Sequence, residues 1–247
     1  MTRRAVACLF LVALSAVGCS GGGGDVRTSS TASSESSDSP TTSATATTES
    51  LAPTPADDQA VTTSAVGSLP VPPPEWHLLN NENIDGPSLR NGGTCLDPST
   101  FSTSTAGTRI EYVRDPQPDG TGHGQFEVSL RLTKSSQAAD QQLAALQSLT
   151  AACADELGRN DVPGAVTDSS TQPRPLTLPL PSASFRTVAH FPFQGNTLTY
   201  FVDLIYMTAG RARVVVGFFD CCQPIDENFQ TTILNDVASE LQTIASK

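Results

Sequence analysis

Apolar and polar residues alternate most regularly over Gln125–Thr133, where every second position from Phe126 to Leu132 is apolar. Successive side chains of a strand point to opposite faces, so this period of two predicts a strand with one buried face and one solvated face. Such a strand is typical of an antiparallel sheet with a core on one side.

Further segments predict neighbouring strands. Thr108–Val113 is followed by a glycine-rich loop, so it is expected to pair with the first strand in a long hairpin. Ser184–Phe191 predicts another strand. Leu198–Met207 and Arg211–Phe219 flank Gly210 and are dense in β-branched and aromatic residues, which predicts a hairpin at the centre of the sheet.

Two helices are predicted. Apolar residues recur three and four positions apart over Ser136–Leu157, which indicates one amphipathic helix with Ser136 as its N-cap and Gly158 as its end. Asp226 is expected to cap a final helix that runs to about Ala245. This order of elements predicts an α+β fold, an antiparallel sheet with the two main helices on one face, stapled by disulfides.

The N-terminus carries an export signal. Arg3 and Arg4 precede the apolar run Ala5–Val17, which is shorter than the roughly 20 residues of a membrane-spanning helix. Small residues directly before Cys19 resemble the processing signal of bacterial lipoproteins. The resemblance implies that residues 1–18 are removed, and that acyl chains such as palmitate on Cys19 anchor the protein to the extracytoplasmic face of the cell membrane. An ordinary secretory signal with an incidental cysteine is the alternative.

Residues 19–74 are predicted to form a tether. Ser and Thr dominate this segment, and no aromatic residue lies between Phe10 and Trp76. With so little to bury, the segment does not offset the entropy cost of ordering, so we expect it to be flexible. A single folded domain is expected over residues 75–247.

The charge balance bears on partners. The chain has 14 basic and 25 acidic residues, a formal net charge of −11. Nucleic-acid binding requires a basic surface, so no nucleic-acid partner is expected. We expect the lipid on Cys19, and not charge, to hold the protein at the membrane.

Four cysteines fall in the predicted domain. In an exported protein an even number of cysteines indicates disulfides, so Cys95, Cys153, Cys221 and Cys222 are predicted to be paired. Side chains of adjacent residues on an extended backbone point to opposite faces. We therefore expect Cys221 and Cys222 to bond different partners, one Cys95 and the other Cys153, and both cross-pairings stay open. No metal-ligand spacing is present, so neither a metal nor a cofactor is expected.

No catalytic signature is present in the sequence, and an enzyme is not expected. His123 stands between two glycines and is expected at a hairpin tip. His190 lies in an apolar stretch, and Asp203 interrupts the strand Leu198–Met207. Asp203 either faces water on the open side of the sheet, or is paired with Arg211 or Arg213 across the hairpin, or faces a ligand. His190 and Asp203 are thus the candidate ligand-binding residues.

Two stretches carry a family resemblance. The helix segment Ala144–Cys153 and the strand Arg213–Cys221, followed by the closing helix, resemble the extracellular sensor domain of actinobacterial transmembrane Ser/Thr kinases of the PknH type. The PsbP-like lipoproteins of the same organisms are a second resemblance. The first implies a fold of sheet and helices with two disulfides and a groove for a small ligand. We expect a non-catalytic binding or sensing module in the cell envelope. The alternative is a scaffold or assembly factor that acts through protein contacts.

Overall fold

The computed structural model describes residues 55–84, 98–101, 104–115, 124–160, 166–193 and 195–246. The predicted signal peptide, Cys19, the tether up to residue 54, Cys95 and His123 lie outside the described residues. What was expected of them therefore stays a prediction.

Seven described strands form one antiparallel sheet in the order β1-β2-β3-β7-β6-β5-β4. The predicted antiparallel sheet is confirmed, and β3 has the predicted bounds. The central hairpin turns at Gly210, which has a positive φ of 54°. The strands are β1 (Trp76–Asn83), β2 (Ser104–Arg114), β3 (Gln125–Thr133), β4 (Asp168–Pro173), β5 (Ser182–Phe193), β6 (Asn196–Ala209) and β7 (Ala212–Cys221).

The two edge strands were not predicted from the sequence. β1 has the sequence WHLLNNEN and β4 the sequence DSSTQP, and neither alternates between apolar and polar residues. Polar, partly exposed residues are typical of edge strands, because only one side of an edge strand meets another strand. Backbone pairing with β2 and β5 positions these strands.

Helices cover both faces of the sheet, which corrects the prediction that they pack on one face. The described helices are α1 (Pro55–Gly67), α2 (Pro98–Phe101), α3 (Ser136–Gln147), α4 (Ala151–Asn160) and α5 (Glu227–Ala245). Residues of α1 and α5 share one apolar core, and residues of α2, α3 and α4 share the other. The reason lies in β7, which is buried along its whole length and so presents apolar side chains to both sides.

The predicted long helix is two helices. α3 ends at Gln147 and α4 begins at Ala151, and the Thr150 hydroxyl accepts a hydrogen bond from the Cys153 backbone N–H at 3.4 Å. The N-cap is Ser135, one residue before the expected Ser136, and its side chain accepts from Ala138 N. The predicted start of the last helix is confirmed, because the Asp226 carboxylate accepts from Phe229 N at 2.9 Å.

Part of the expected tether is folded. Pro55–Gly67 forms α1, which contacts β2, β3 and α5. Its buried residues include Asp58 and Thr62 as well as Ala65 and Val66. The sequence did not predict this helix because its docking face is mixed polar and apolar, without a clear amphipathic stripe.

Candidate functional site

A buried ion pair joins the ends of β2 and β7. Arg114 Nη2 lies 2.8 Å from Asp220 Oδ2, and the Asp220 side chain is 0% exposed. Two buried atoms of this pair, Asp220 Oδ1 and Arg114 Nε, have no hydrogen-bond partner among the described residues. Each buried polar atom without a partner costs about 1–3 kcal/mol, so this pair can gain from a ligand that both donates and accepts.

One aromatic ring lies against this ion pair, and further rings pack on that ring. The Trp76 ring lies 5.5 Å from the Arg114 guanidinium carbon, within the range of a cation–π contact. It also stacks on Phe229 at a centroid distance of 4.8 Å and meets the edge of Phe126 at 5.0 Å. We call Trp76, Tyr112, Phe126, Phe218 and Phe229 the aromatic cluster, since each ring contacts at least one of the others.

The electrostatics of the pair are unusual. Burial raises the pKa of Asp220 from 3.8 to about 6, although the charge of Arg114 and a hydrogen bond from the Cys221 backbone oppose the rise. Burial also raises the pKa of Tyr112 in the aromatic cluster. A buried carboxyl group with a raised pKa beside a specific charged partner is a candidate for a functional site.

Gly124 packs directly against this site. Its carbonyl accepts a hydrogen bond from Arg114 N at 2.7 Å. An ideal Cβ at this position would lie 3.1 Å from Arg114 Nε and 3.2 Å from Trp76. Gly124 therefore brings the backbone close to the guanidinium and the indole ring, and a larger residue would press on both. We call Trp76, Arg114, Gly124 and Asp220 the Arg114 site.

The Arg114 site was not predicted from the sequence. Trp76 is the single tryptophan of the chain, and Asp220 directly follows the apolar run of β7. These two features were the available signals, but Arg114 and Asp220 are 106 residues apart and only the sheet topology brings them together.

Asp203 is a buried, paired carboxylate, and the prediction that Arg211 or Arg213 is its partner is wrong. It is 2% exposed and pairs with Arg186 through two hydrogen bonds of 2.7 and 2.8 Å. Arg174 Nη1 and Gln230 Nε2 also contact its Oδ2, at 3.1 and 3.0 Å. Arg186 of β5 is opposite Asp203 of β6, whereas Arg213 of β7 is opposite Thr208 of β6. With these four contacts, Asp203 has little capacity left for a ligand.

The other candidate, His190, lies on β5 beside the edge strand. Its Nδ1 is 3.0 Å from Asp168 Oδ1, and its side chain is 37% exposed. It contacts neither Asp203 nor the Arg114 site in any described interaction, so the structure does not combine the two sequence-based candidates into one site.

The predicted cysteine pairings are corrected. Cys153 is disulfide-bonded, but to neither Cys221 nor Cys222, which carry thiols. The sulfur atoms of Cys221 and Cys222 lie 2.9 Å apart, so these side chains do not point to opposite faces. The prediction assumed an extended backbone through both residues, whereas β7 ends at Cys221 and Cys222 has a φ of +84°.

A second feature is an apolar pocket between the sheet, α1 and α5. It is a half-open depression with room for little more than a water molecule, and Glu240 is its single charged lining residue. The apolar lining residues are Ala65, Val66, Leu69, Val128, Leu130, Val214, Val237, Leu241 and Ile244. Glu240 is the only polar residue in its lining, and most of the apolar lining residues belong to the core that α1 and α5 share with the sheet. The pocket therefore offers few groups that could orient a polar ligand.

No group of three or more His, Cys, Asp or Glu side chains is placed to hold a metal ion within the described part of the chain. None of the described helices has the length and apolar character to span a bilayer.

No protein-family model matches the sequence, and no curated protein matches it. Two solved structures from Mycobacterium tuberculosis are similar. The extracellular domain of PknH is 14% identical, the match covers 74% of this chain and 91% of that domain, and the TM-score is 0.41. LpqN, described as involved in cell envelope biogenesis, is 13% identical over 71% of this chain and 79% of its own, with a TM-score of 0.26. Likeness at this level does not assign a function.

Proposed function

We propose that the protein is a lipid-anchored lipoprotein of the cell envelope whose folded domain binds a small ligand without catalysing a reaction. The observation that carries the proposal is the Arg114 site. There, Asp220 Oδ1 and Arg114 Nε have no described hydrogen-bond partner next to a wall of aromatic rings. Binding sites commonly combine a few such polar atoms with an aromatic surface.

The site suggests the chemical class of the ligand. Above about pH 6, Asp220 is mostly ionised and accepts hydrogen bonds, so a hydroxyl or amine of the ligand would donate to Oδ1. An oxygen of the ligand would accept from Arg114 Nε. A flat or apolar part would lie against the aromatic cluster. Since Asp220 is enclosed and Arg114 is 14% exposed, the ligand reaches the carboxylate when the guanidinium moves outward.

The location rests on the sequence. The export signal and the small residues before Cys19 support a lipid anchor, and the Ser/Thr-rich segment would hold the domain away from the bilayer. The disulfide at Cys153 supports an oxidising compartment outside the cytoplasm. Replacing Cys19 with Ala is expected to move the protein from the membrane fraction to the soluble fraction. Retention of the variant in the membrane would contradict the anchor.

The binding proposal is tested with the purified protein. A panel of envelope lipids and polar metabolites is screened by thermal shift and native mass spectrometry against wild type and three variants. Arg114→Met and Asp220→Asn are expected to lose the ligand, whereas Arg159→Met keeps it, because Arg159 forms an exposed ion pair on α4. Equal binding by all three variants, or a panel without any binder, counts against the proposal.

A scaffold function is the second candidate, and one observation favours it. Leu78 and Leu79 on the edge strand β1 are 58% and 56% exposed, and the β1–β2 register shifts between Leu78 and Asn80. Exposed apolar residues on a sheet edge are suited to a protein partner. If the protein acts as a scaffold, crosslinking in membranes is expected to join it to a partner protein, and Leu78→Glu is expected to abolish that crosslinked product. Arg114→Met is the control and is expected to leave the product unchanged.

A further inference from the structure

Two adjacent thiols close the C-terminal end of β7. Cys221 is 4% exposed and is the last residue of the strand, and the exposed Cys222 begins the turn toward α5. Their sulfur atoms are 2.9 Å apart. A disulfide bond is about 2.05 Å long, so the pair needs a further approach of less than 1 Å to bond.

The backbone holds the sulfurs in this arrangement. Cys222 has a φ of +84°, and no other non-glycine residue in the described part of the chain has a positive φ. This conformation costs on the order of 1–3 kcal/mol, so the surroundings must impose it. The Cys222 N–H donates to the Thr199 carbonyl at 2.7 Å, which extends the β6–β7 pairing beyond Cys221 and fixes the bend.

We propose that Cys221 and Cys222 are a redox site that closes to a vicinal disulfide. The oxidant is a disulfide of the thiol pool or of another protein. The exposed Cys222 thiolate attacks one sulfur of that disulfide, which forms a mixed disulfide and releases one thiol. The Cys221 thiolate then attacks the Cys222 sulfur, which forms the Cys221–Cys222 bond and releases the second thiol. The cysteine pair loses two electrons and two protons, and the donor gains them as two thiols.

Geometry and exposure divide the roles between the two residues. Cys222 is accessible, so it meets the donor, whereas the buried Cys221 resolves the mixed disulfide from within the strand. Cys153 is disulfide-bonded elsewhere, so the reaction needs no exchange with it. This site goes beyond the proposed ligand binding, and its chemistry does not depend on the Arg114 site.

Mass spectrometry of the full-length protein tests the proposal. The protein is equilibrated with oxidised glutathione, remaining thiols are alkylated without reduction, and the tryptic peptide Val214–Lys247, which holds both cysteines, is weighed. We expect this peptide to lack any alkyl group and to be lighter than the dithiol by two hydrogen atoms. In Cys222→Ser, Cys221 is expected to be alkylated. In Cys221→Ser, Cys222 is expected to keep a bound glutathione.

Three results would overturn the proposal. Alkylation of both cysteines in wild type after oxidation shows that the pair does not close. A glutathione adduct that persists in wild type shows that Cys221 does not resolve it. A bond from this peptide to one that contains Cys95 or Cys153 shows the cross-pairing instead. The wild-type measurement alone decides among these results, so the proposal stays testable if either variant fails to fold.

Discussion

Gly158 on α4 lies so close to Thr187 on β5 that a Cβ at position 158 would be 1.9 Å from Thr187 Oγ1. The same Cβ would be 2.4 Å from Thr171 Oγ1 on β4. These two hydroxyls are buried and share a hydrogen bond of 2.8 Å. The helix backbone thus packs directly on two paired strands at a point where a side chain has no room.

Gly158→Ala is expected to destabilise the domain by about 1–3 kcal/mol, because α4 must move away from the sheet to accommodate the methyl group. The gain in helix propensity from Gly to Ala is smaller than this cost. The free energy of unfolding from urea titration is the measurement. Gly67→Ala is the matched control, since nothing lies within 4 Å of a Cβ there. Equal stability of the two variants would show that α4 does not pack as described.

Asp203 is expected to be the most costly carboxylate to replace. Asp203→Asn removes the charge that faces Arg186 and Arg174 in a buried cluster, and losing one partner of a buried ion pair costs about 3–5 kcal/mol. Because both arginines are partly exposed, we expect a cost near the lower end of that range. The substitution also weakens the hydrogen bond to Asp203, which raises the pKa of Arg186.

Urea titration of the Asp203 variant is compared with that of Glu227→Gln. Glu227 contacts the same two arginines but is 72% exposed, so its loss is expected to cost less than about 1 kcal/mol. A double-mutant cycle with Arg186→Met isolates the pairing energy. If the two carboxylate variants were equally stable, burial would not govern the strength of this cluster.

The sequence predicted those strands and helices whose pattern of apolar and polar residues is clear within the element itself. β3 and α5 were predicted because their apolar residues follow one period along the chain. The solvated face predicted for β3 is wrong, since Glu127 and Arg131 on that face are buried in a sheet that helices cover on both sides. Helix α1 was missed because Asp58 and Thr62, which are buried, belong to the residue types that usually mark exposed positions.

The sites depended on non-local pairing and were harder to predict. A paired Asp203 was one of the three expectations from its position in an apolar strand, but the expected partners were Arg211 or Arg213, and the β5–β6 register makes Arg186 the partner instead. Arg114 and Asp220 meet only after β3 and β7 pair in the middle of the sheet. A single sequence does not specify which meanders adjoin, so this site could not be derived from spacing.

The stability of the domain is expected to depend on pH through Asp220. Its pKa is raised from 3.8 to about 6 on folding, so between these values the folded state holds more protons than the unfolded state. Stability therefore falls as pH rises through this window and levels off above about pH 6. Two pKa units correspond to about 3 kcal/mol, which is the largest loss expected from this group.

Asp220→Asn does not titrate and is expected to escape this loss. The difference in unfolding free energy between the variant and wild type should move in favour of the variant by on the order of 2–3 kcal/mol from about pH 4 to about pH 7. Asp140→Asn removes an exposed carboxylate and corrects for the general effect of one negative charge. A difference that stays constant with pH would contradict the raised pKa.

The docking of α1 is expected to depend on one carboxylate. Asp58 is 3% exposed and accepts a hydrogen bond from Arg211 Nη2 at 2.6 Å and another from the Thr105 hydroxyl. The helix buries few apolar side chains, so polar contacts supply much of its attachment to the sheet. Asp58→Ala should leave these donors without their acceptor and weaken α1 by about 1–3 kcal/mol.

Hydrogen exchange of the backbone amides in Pro55–Gly67, read by mass spectrometry, measures this effect separately from global unfolding. We expect exchange in α1 to speed up by about tenfold or more in Asp58→Ala, because 1.4 kcal/mol corresponds to a factor of ten in the opening equilibrium. Asp57→Ala is the matched control. Asp57 lies in the same first turn and favours the helix dipole equally, but its side chain is exposed. If exchange became faster to the same extent in both variants, the effect would come from the charge at the helix terminus and not from the Asp58–Arg211 contact. The docking of α1 would then depend on Ala65, Val66 and the apolar pocket that they line.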